Sequence, residues 1–242
     1  MTPLPLPLLL GFLLGLRHAF EPDHLAAVAA LLGKGGDGSR LGAGRIGALW
    51  GAGHATALLL AGSGVILLGW RIPPRLEALV ELAVAALLLL LGGRVLFRAL
   101  RRDRAHLHLH EHGGLVHAHL HFHSSPAHGP EAHRHHVLEP LLRPGRRPFL
   151  VGMLHGVSGT GAATLLVLAA SPGARLAMLA LALFAAGALV GMAALSWLLS
   201  LPLRAAGRRS AALFRGIQIS TGLSCLLLGV SLAGRILWMT PG

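Results

Sequence analysis

Two stretches of this chain leave little choice of environment. Ile46 to Leu68 and Leu176 to Leu203 contain no Lys, Arg, Asp or Glu. About 20 mainly apolar residues cross the ~30 Å hydrocarbon core of a bilayer as a helix, and both runs are longer than that. A water-soluble helix of this length would carry charges along one face. In hydrocarbon each backbone N–H and C=O needs a partner, and a helix supplies partners from within a single segment. The chain is therefore read as embedded in a membrane.

Six spans are expected, at about 4–32, 44–70, 76–97, 149–170, 174–201 and 213–238, with a polar loop at 98–148 in the middle. Turn-forming residues separate them: Gly33 to Gly38, Pro73-Pro74 and Ser171-Pro172-Gly173. Glycine and proline punctuate chains in this way by permitting or fixing unusual backbone angles. The N-terminal stretch Met1 to Leu16 is apolar but lacks a basic leader, and the apolar character resumes beyond Arg17. It reads as a retained span rather than a cleaved signal.

The formal net charge of +12 raises nucleic acid as a partner. The arginines, however, lie between apolar runs rather than on one folded face. Fifteen basic residues, from Lys34 to Arg215, sit in or beside the loops after the first, third and fifth spans. Arg71, Arg75, Arg175 and Arg235 are the basic residues of the opposite side. Basic residues accumulate on the cytoplasmic side of membrane proteins. The loop at 98–148 is thus expected in the cytoplasm and both termini outside it, in a bacterial inner membrane. Nucleic acid is not expected as a partner; the lipid bilayer is.

The chain also repeats itself. Gly15-Leu16-Arg17-His18 matches Gly152-Met153-Leu154-His155. At the same offset Glu81 matches Gln218, and Leu89-Leu90-Leu91-Gly92 matches Leu226-Leu227-Leu228-Gly229. Three spans separate the copies, so the copies would be inverted in the membrane. Inverted repeats mark secondary transporters, whose substrate sites lie at the repeat interface near the midplane. The expected fold is an all-α membrane protein of six transmembrane helices, built as two inverted three-helix repeats. Residues 1–97 form the first repeat, 98–148 a cytoplasmic histidine-rich loop, and 149–242 the second repeat.

Ionisable groups are costly inside a span and tend to mark pathways or sites. Of sixteen histidines, His18, His24, His54 and His155 fall in expected spans. The densest cluster is Arg17-His18-Ala19-Phe20-Glu21-Pro22-Asp23-His24. In a regular helix six residues turn by about 600°, which separates His18 from His24. Pro22 changes this, because it lacks a backbone donor and clashes with the carbonyl of His18. A break there would bring His18, Asp23 and His24 together. Arg17 and Glu21 are spaced to pair with each other; alternatively, Glu21 adds to the site. The plainer reading of the cluster is a set of caps at a helix end.

His155 opens His155-Gly156-Val157-Ser158-Gly159-Thr160-Gly161, where small residues permit close helix approach. Ser158 and Thr160 would add neutral ligands; a plain packing motif with a satisfied histidine is the alternative. His54 joins the candidate ligands. Glu81 fits as a ligand, a proton carrier or an arginine's partner. Imidazole with carboxylate suits nickel, cobalt, zinc or copper(II).

The central loop holds twelve more histidines. His106, His108, His110 and His112 form one alternating run, and His117, His119, His121 and His123 another. His128, His133, His135 and His136 follow. Such tracts bind metal. Their alternation would form a strand with one imidazole face; the preferred reading is a segment ordered only when metal binds. A cytoplasmic metallochaperone is the protein partner such a loop suggests. The single Cys225 excludes a disulfide framework or a cysteine cage within one chain.

His18-Ala19-Phe20-Glu21-Pro22-Asp23-His24 resembles the H-x4-D-H signature of nickel/cobalt transporters, and His155-Gly156…Gly159-Thr160-Gly161 resembles the fourth span of their six-span members. Those members include urease accessory membrane proteins and nickel/cobalt efflux proteins with histidine-rich loops. The resemblance implies that His18, Asp23 and His24 are needed for transport, with nickel or cobalt as cargo. No catalytic cofactor and no enzyme activity are expected, and no G-x-x-x-x-G-K-[ST] motif for ATP is present. Export of a small anion or amino acid, and storage or delivery of metal for a nickel enzyme, are the competing functions. The topology makes a direct prediction: protease added to intact cells removes a tag at the C-terminus. A protected tag overturns the orientation.

Overall fold

The computed structural model describes residues 5–32, 40–70, 72–100, 104–112, 115–123, 146–158 and 173–239. In chain order the helices are α1 (Pro5–His18), α2 (Pro22–Leu32), α3 (Arg40–Leu68), α4 (Pro74–Leu100), α5 (Arg146–Ser158), α6 (Ala174–Arg209) and α7 (Ala211–Met239). Four of them contain segments long and apolar enough to cross a membrane: Gly42–Leu68, Pro74–Leu100, Ala174–Gly207 and Ala211–Trp238. They coincide with the second, third, fifth and sixth expected spans. Leu8–His18 and Pro22–Leu32 are shorter apolar helices. The first expected span is thus two helices with a break between them. Of the fourth, α5 supplies the start, and 159–170 lies outside the described residues.

The break has a local cause. In a continuous helix the N–H at position 22 would bond the carbonyl of His18, and proline has no N–H. Glu21 N–H bonds that carbonyl instead at 3.0 Å, a tightened last turn. The chain then restarts at Pro22, the position in a helix that tolerates proline best. Leu25 N–H bonds the carbonyl of Glu21 at 3.0 Å, so Glu21 caps the new helix. Asp23 lies in the first turn of α2, where the helix dipole favours a negative charge.

The central loop departs from an all-helical chain. Arg104–His112 (β1) and Leu115–His123 (β2) form a two-stranded antiparallel hairpin. Its register sets His106 across from His121, His108 from His119 and His110 from His117. Backbone pairing between the two runs thus orders the segment as strands, the reading that was not preferred. His128, His133, His135 and His136 lie outside the described residues.

Packing depends on bare backbone. The main contacts run between α1 and α6, α3 and α5, α3 and α6, and α4 and α7. A Cβ at Gly15 would collide with the carbonyl oxygen of Phe184, and one at Gly187 with that of Phe12. The same arrangement recurs between the other pair. A Cβ at Gly152 would strike the carbonyl oxygen of Trp50, and one at Gly53 that of Phe149. Gly92 meets the carbonyl of Gly222 at 2.8 Å, and Gly229 that of Ala85 at 3.0 Å, distances from the Cβ each would carry. Without a hydrophobic drive between helices in lipid, such close approach is what holds them together.

Gly53→Ala or Gly152→Ala is expected to cost about 1–3 kcal/mol through overpacking, seen as a lower Tm in detergent. Gly93, whose added Cβ would meet nothing within 4 Å, is the control. Gly93→Ala is expected to be neutral or to stabilise by up to ~1 kcal/mol.

Candidate metal site

The break between α1 and α2 is where the histidines gather. Because Pro22 leaves the His18 carbonyl available, His24 Nδ1–H donates to it at 2.9 Å. This contact joins the end of α1 to the start of α2. It also fixes the tautomer, since an imidazole that donates from Nδ1 carries its lone pair on Nε2. His24 Nε2 is buried and has no hydrogen-bond partner. A second-shell bond from one ring nitrogen that leaves the other free is how metal-ligating histidines are commonly held.

His54 from α3 and His155 from α5 reach the same place. His18 Nε2 lies 3.2 Å from His54 Nε2. His155 Nε2–H donates to Asp23 Oδ2 at 2.9 Å. The ring centroids of His18 and His24 are 4.7 Å apart, as are those of His24 and His155. His24, His54 and His155 are all buried, at 1%, 0% and 2% exposure, although each is a polar ring. His54 Nδ1 and His155 Nδ1 have no hydrogen-bond partner either. Three buried imidazoles with unpartnered nitrogens in one place are costly for packing alone and are well suited to a ligand.

Donor atoms fall into two groups: His18, His24 and His54; and Asp23, His24 and His155. Within each, the atoms lie within 4.8 Å of one another. Donors about 2.0–2.1 Å from one ion lie roughly 2.9–3.4 Å apart in tetrahedral or octahedral geometry. The His18–His54 and Asp23–His155 contacts, at 3.2 and 2.9 Å, are already at that spacing, and an ion there would take the place of the proton that each pair now shares. Three imidazoles, or two with a carboxylate, match the donors that nickel, cobalt and zinc accept.

Other expectations turn out differently. Glu21 takes His18 Nδ1–H as its partner at 3.0 Å rather than Arg17, because α1 ends between them. Its side chain is half-exposed, so it lies at the edge of the cluster. Glu81 on α4 belongs to neither donor group. Ser158 is the last residue of α5, and Thr160 lies outside the described residues.

Among the described residues, two aromatic side chains also lie against the cluster and were not singled out from the sequence. Trp50, fully buried, stands edge-on to His24 at 5.3 Å and to His155 at 5.9 Å. Phe184 lies 5.5 Å from His18. The only signal for Trp50 was its position beside Gly51 in a charge-free run, which reads as core.

The fold and the cluster together define a multi-pass membrane protein with buried imidazoles beside a partly exposed carboxylate. Residues 7–234 match the NicO family, described as high-affinity nickel-transport proteins, and the chain belongs to that family. The family is one of transporters, not enzymes. The urease accessory protein UreH of Bacillus sp. (strain TB-90) is 28% identical over 226 residues, covering 92% of this chain and 88% of that protein. No solved structure matches the chain.

Asp23→Ala removes the acceptor of the buried His155 Nε2–H and is expected to cost about 1–3 kcal/mol, whereas Asp23→Asn keeps an acceptor oxygen and loses less. Thermal unfolding of both purified variants in detergent checks this. Equal losses would mean that the hydrogen bond does not support the fold.

Proposed function

We propose that the protein is a secondary transporter moving a divalent transition metal, nickel or cobalt, across the bacterial inner membrane. His18, Asp23, His24, His54 and His155 are its ligands, and Glu21 receives the ion at the edge of the site. The observation that carries this reading is the buried, unpartnered Nε2 of His24 beside three further imidazoles and a carboxylate. Membership of a nickel-transport family supports nickel as the cargo.

In this reading the chain has six spans in two inverted three-helix repeats. The recurrence of the glycine contacts supports that arrangement. Gly15 on Phe184 and Gly152 on Trp50 are the same kind of contact, and the two glycines match at the offset of the repeat. The histidine hairpin faces the cytoplasm and gathers or delivers metal at the inner mouth, where a cytoplasmic metallochaperone would meet it. Neutral imidazole is the binding form, so affinity falls as pH drops.

One observation favours a second role. The relative from Bacillus carries the name of a urease accessory protein, which suits a membrane protein that supplies nickel to a nickel enzyme. Elemental analysis of cells tests both readings, comparing wild type, His24→Ala, and a variant with the loop histidines replaced by serine, at equal membrane levels. A transporter changes cell nickel or cobalt, loses the change with His24→Ala, and retains most of it in the serine variant. More metal with wild type means uptake, and less means efflux. A store loses its effect in the serine variant. No difference for any divalent metal overturns metal handling altogether.

A further inference from the structure

The two donor groups share one residue, His24, and nothing else. Each has its own pair already closed: His18 with His54 at 3.2 Å, and His155 with Asp23 at 2.9 Å. Aromatic rings line both. Phe184 lies against His18, and Trp50 against His155 and the shared His24. The carbonyl of Phe184 packs on Gly15 and that of Trp50 packs on Gly152. An acid holds one histidine of each: Glu21, half-exposed and outside the group, holds His18, and Asp23, a third exposed and a member of its group, holds His155.

We propose that the site is two overlapping metal positions, used in turn, with His24 as the ligand common to both. This rests on the metal-transport reading above and goes beyond it by dividing the ligands. The first position is His18, His24 and His54, three neutral donors. The second is Asp23, His24 and His155, two neutral donors and one anionic. The geometry carries the division in three ways. His24 has a single free lone pair, because its Nδ1–H is committed to the His18 carbonyl, and one lone pair ligates one ion at a time. Occupancy of the two positions is therefore exclusive, and an ion in one must leave it to occupy the other. Movement between them exchanges two ligands while His24 stays bound, so the ion is never stripped of protein donors in a low-dielectric interior. That avoids the desolvation cost of a bare buried charge. The difference in donor charge makes the positions unequal, so each is distinguishable when occupied alone.

Cobalt(II) is the probe, because its visible spectrum and X-ray absorption report donor number and type. The protein is full length, purified in detergent, with the twelve histidines of the central loop replaced by serine to remove their binding. Wild type is expected to take up one equivalent of cobalt. His54→Ala is expected to keep one equivalent with mixed nitrogen and oxygen donors. His155→Ala is expected to keep one with imidazole donors alone. Each variant, reconstituted into liposomes, binds but does not move cobalt. His24→Ala is expected to weaken binding by about 100-fold, since it removes a ligand of both positions. Glutamine replaces alanine at either histidine where the alanine protein does not give a monodisperse peak.

Identical spectra and equal affinity losses for His54→Ala and His155→Ala overturn the division in favour of a single centre. Two equivalents bound by wild type overturn the sharing of His24. Wild type that binds no cobalt, or His24→Ala that binds like wild type, overturns the metal-transport reading itself.

Discussion

A missing hydrogen-bond donor governs this structure. Pro22 cannot bond the carbonyl of His18, so α1 stops there and α2 begins. That carbonyl then takes two donors, Glu21 N–H and the ring of His24. From this follow the turn that brings His18, Asp23 and His24 together, the tautomer of His24, and the free lone pair on its other nitrogen. An exposed break of this kind would be filled by water. Inside an apolar bundle, unsatisfied polar groups are costly; here His54 of α3 and His155 of α5 meet His18 and Asp23, while Nε2 of His24 stays without a partner.

The supporting frame is built for close approach. Glycine on one helix meets backbone carbonyl on the next in each of the principal helix pairs, and His54 and His155 are carried by helices fixed in this way. Gly156, next to His155, lies against the backbone of His54 itself, with 2.5 Å from its would-be Cβ to that carbonyl oxygen. The helix contact and the ligand placement are therefore one feature. Precise positioning of donors needs elements that do not shift, and side-chain-free contacts leave few alternative packings.

Much of this was legible in the sequence, for reasons that can be named. Charge-free runs located α3, α4, α6 and α7, because hydrocarbon tolerates so few alternatives. Pro22 inside an ionisable cluster gave the break. The five nominated donors come together because polar residues in spans have few other places to go. What was not legible depended on relations between segments. Hydropathy does not say which face of α4 looks inward, so it could not say that Glu81 lies outside both donor groups. Spacing suggested Arg17 for Glu21, but the helix ends after His18 and the pairing that presumes a continuous helix fails. Trp50 and Phe184 read as core because an aromatic in an apolar run carries no mark of what lies beside it. The hairpin needed the register between two runs, which alternation within either run does not contain.

The glycine contacts have a mechanical consequence. They join helices across the two halves of the sequence: α1 to α6, α5 to α3, α4 to α7. The first three-helix segment and the second are therefore interlocked rather than stacked side by side. If they moved apart as blocks, every one of these backbone contacts would open at once, exposing surfaces with no side chains to cover them. α3 and α6 are joined in the same way, Gly47 meeting the carbonyl oxygen of Met192, so the crossed pairs are themselves held together. The short α2, which carries Asp23 and His24 and contains no glycine, is the element least tied to that lattice. Small displacements of α2 would carry His24 between its neighbours while the lattice stays shut.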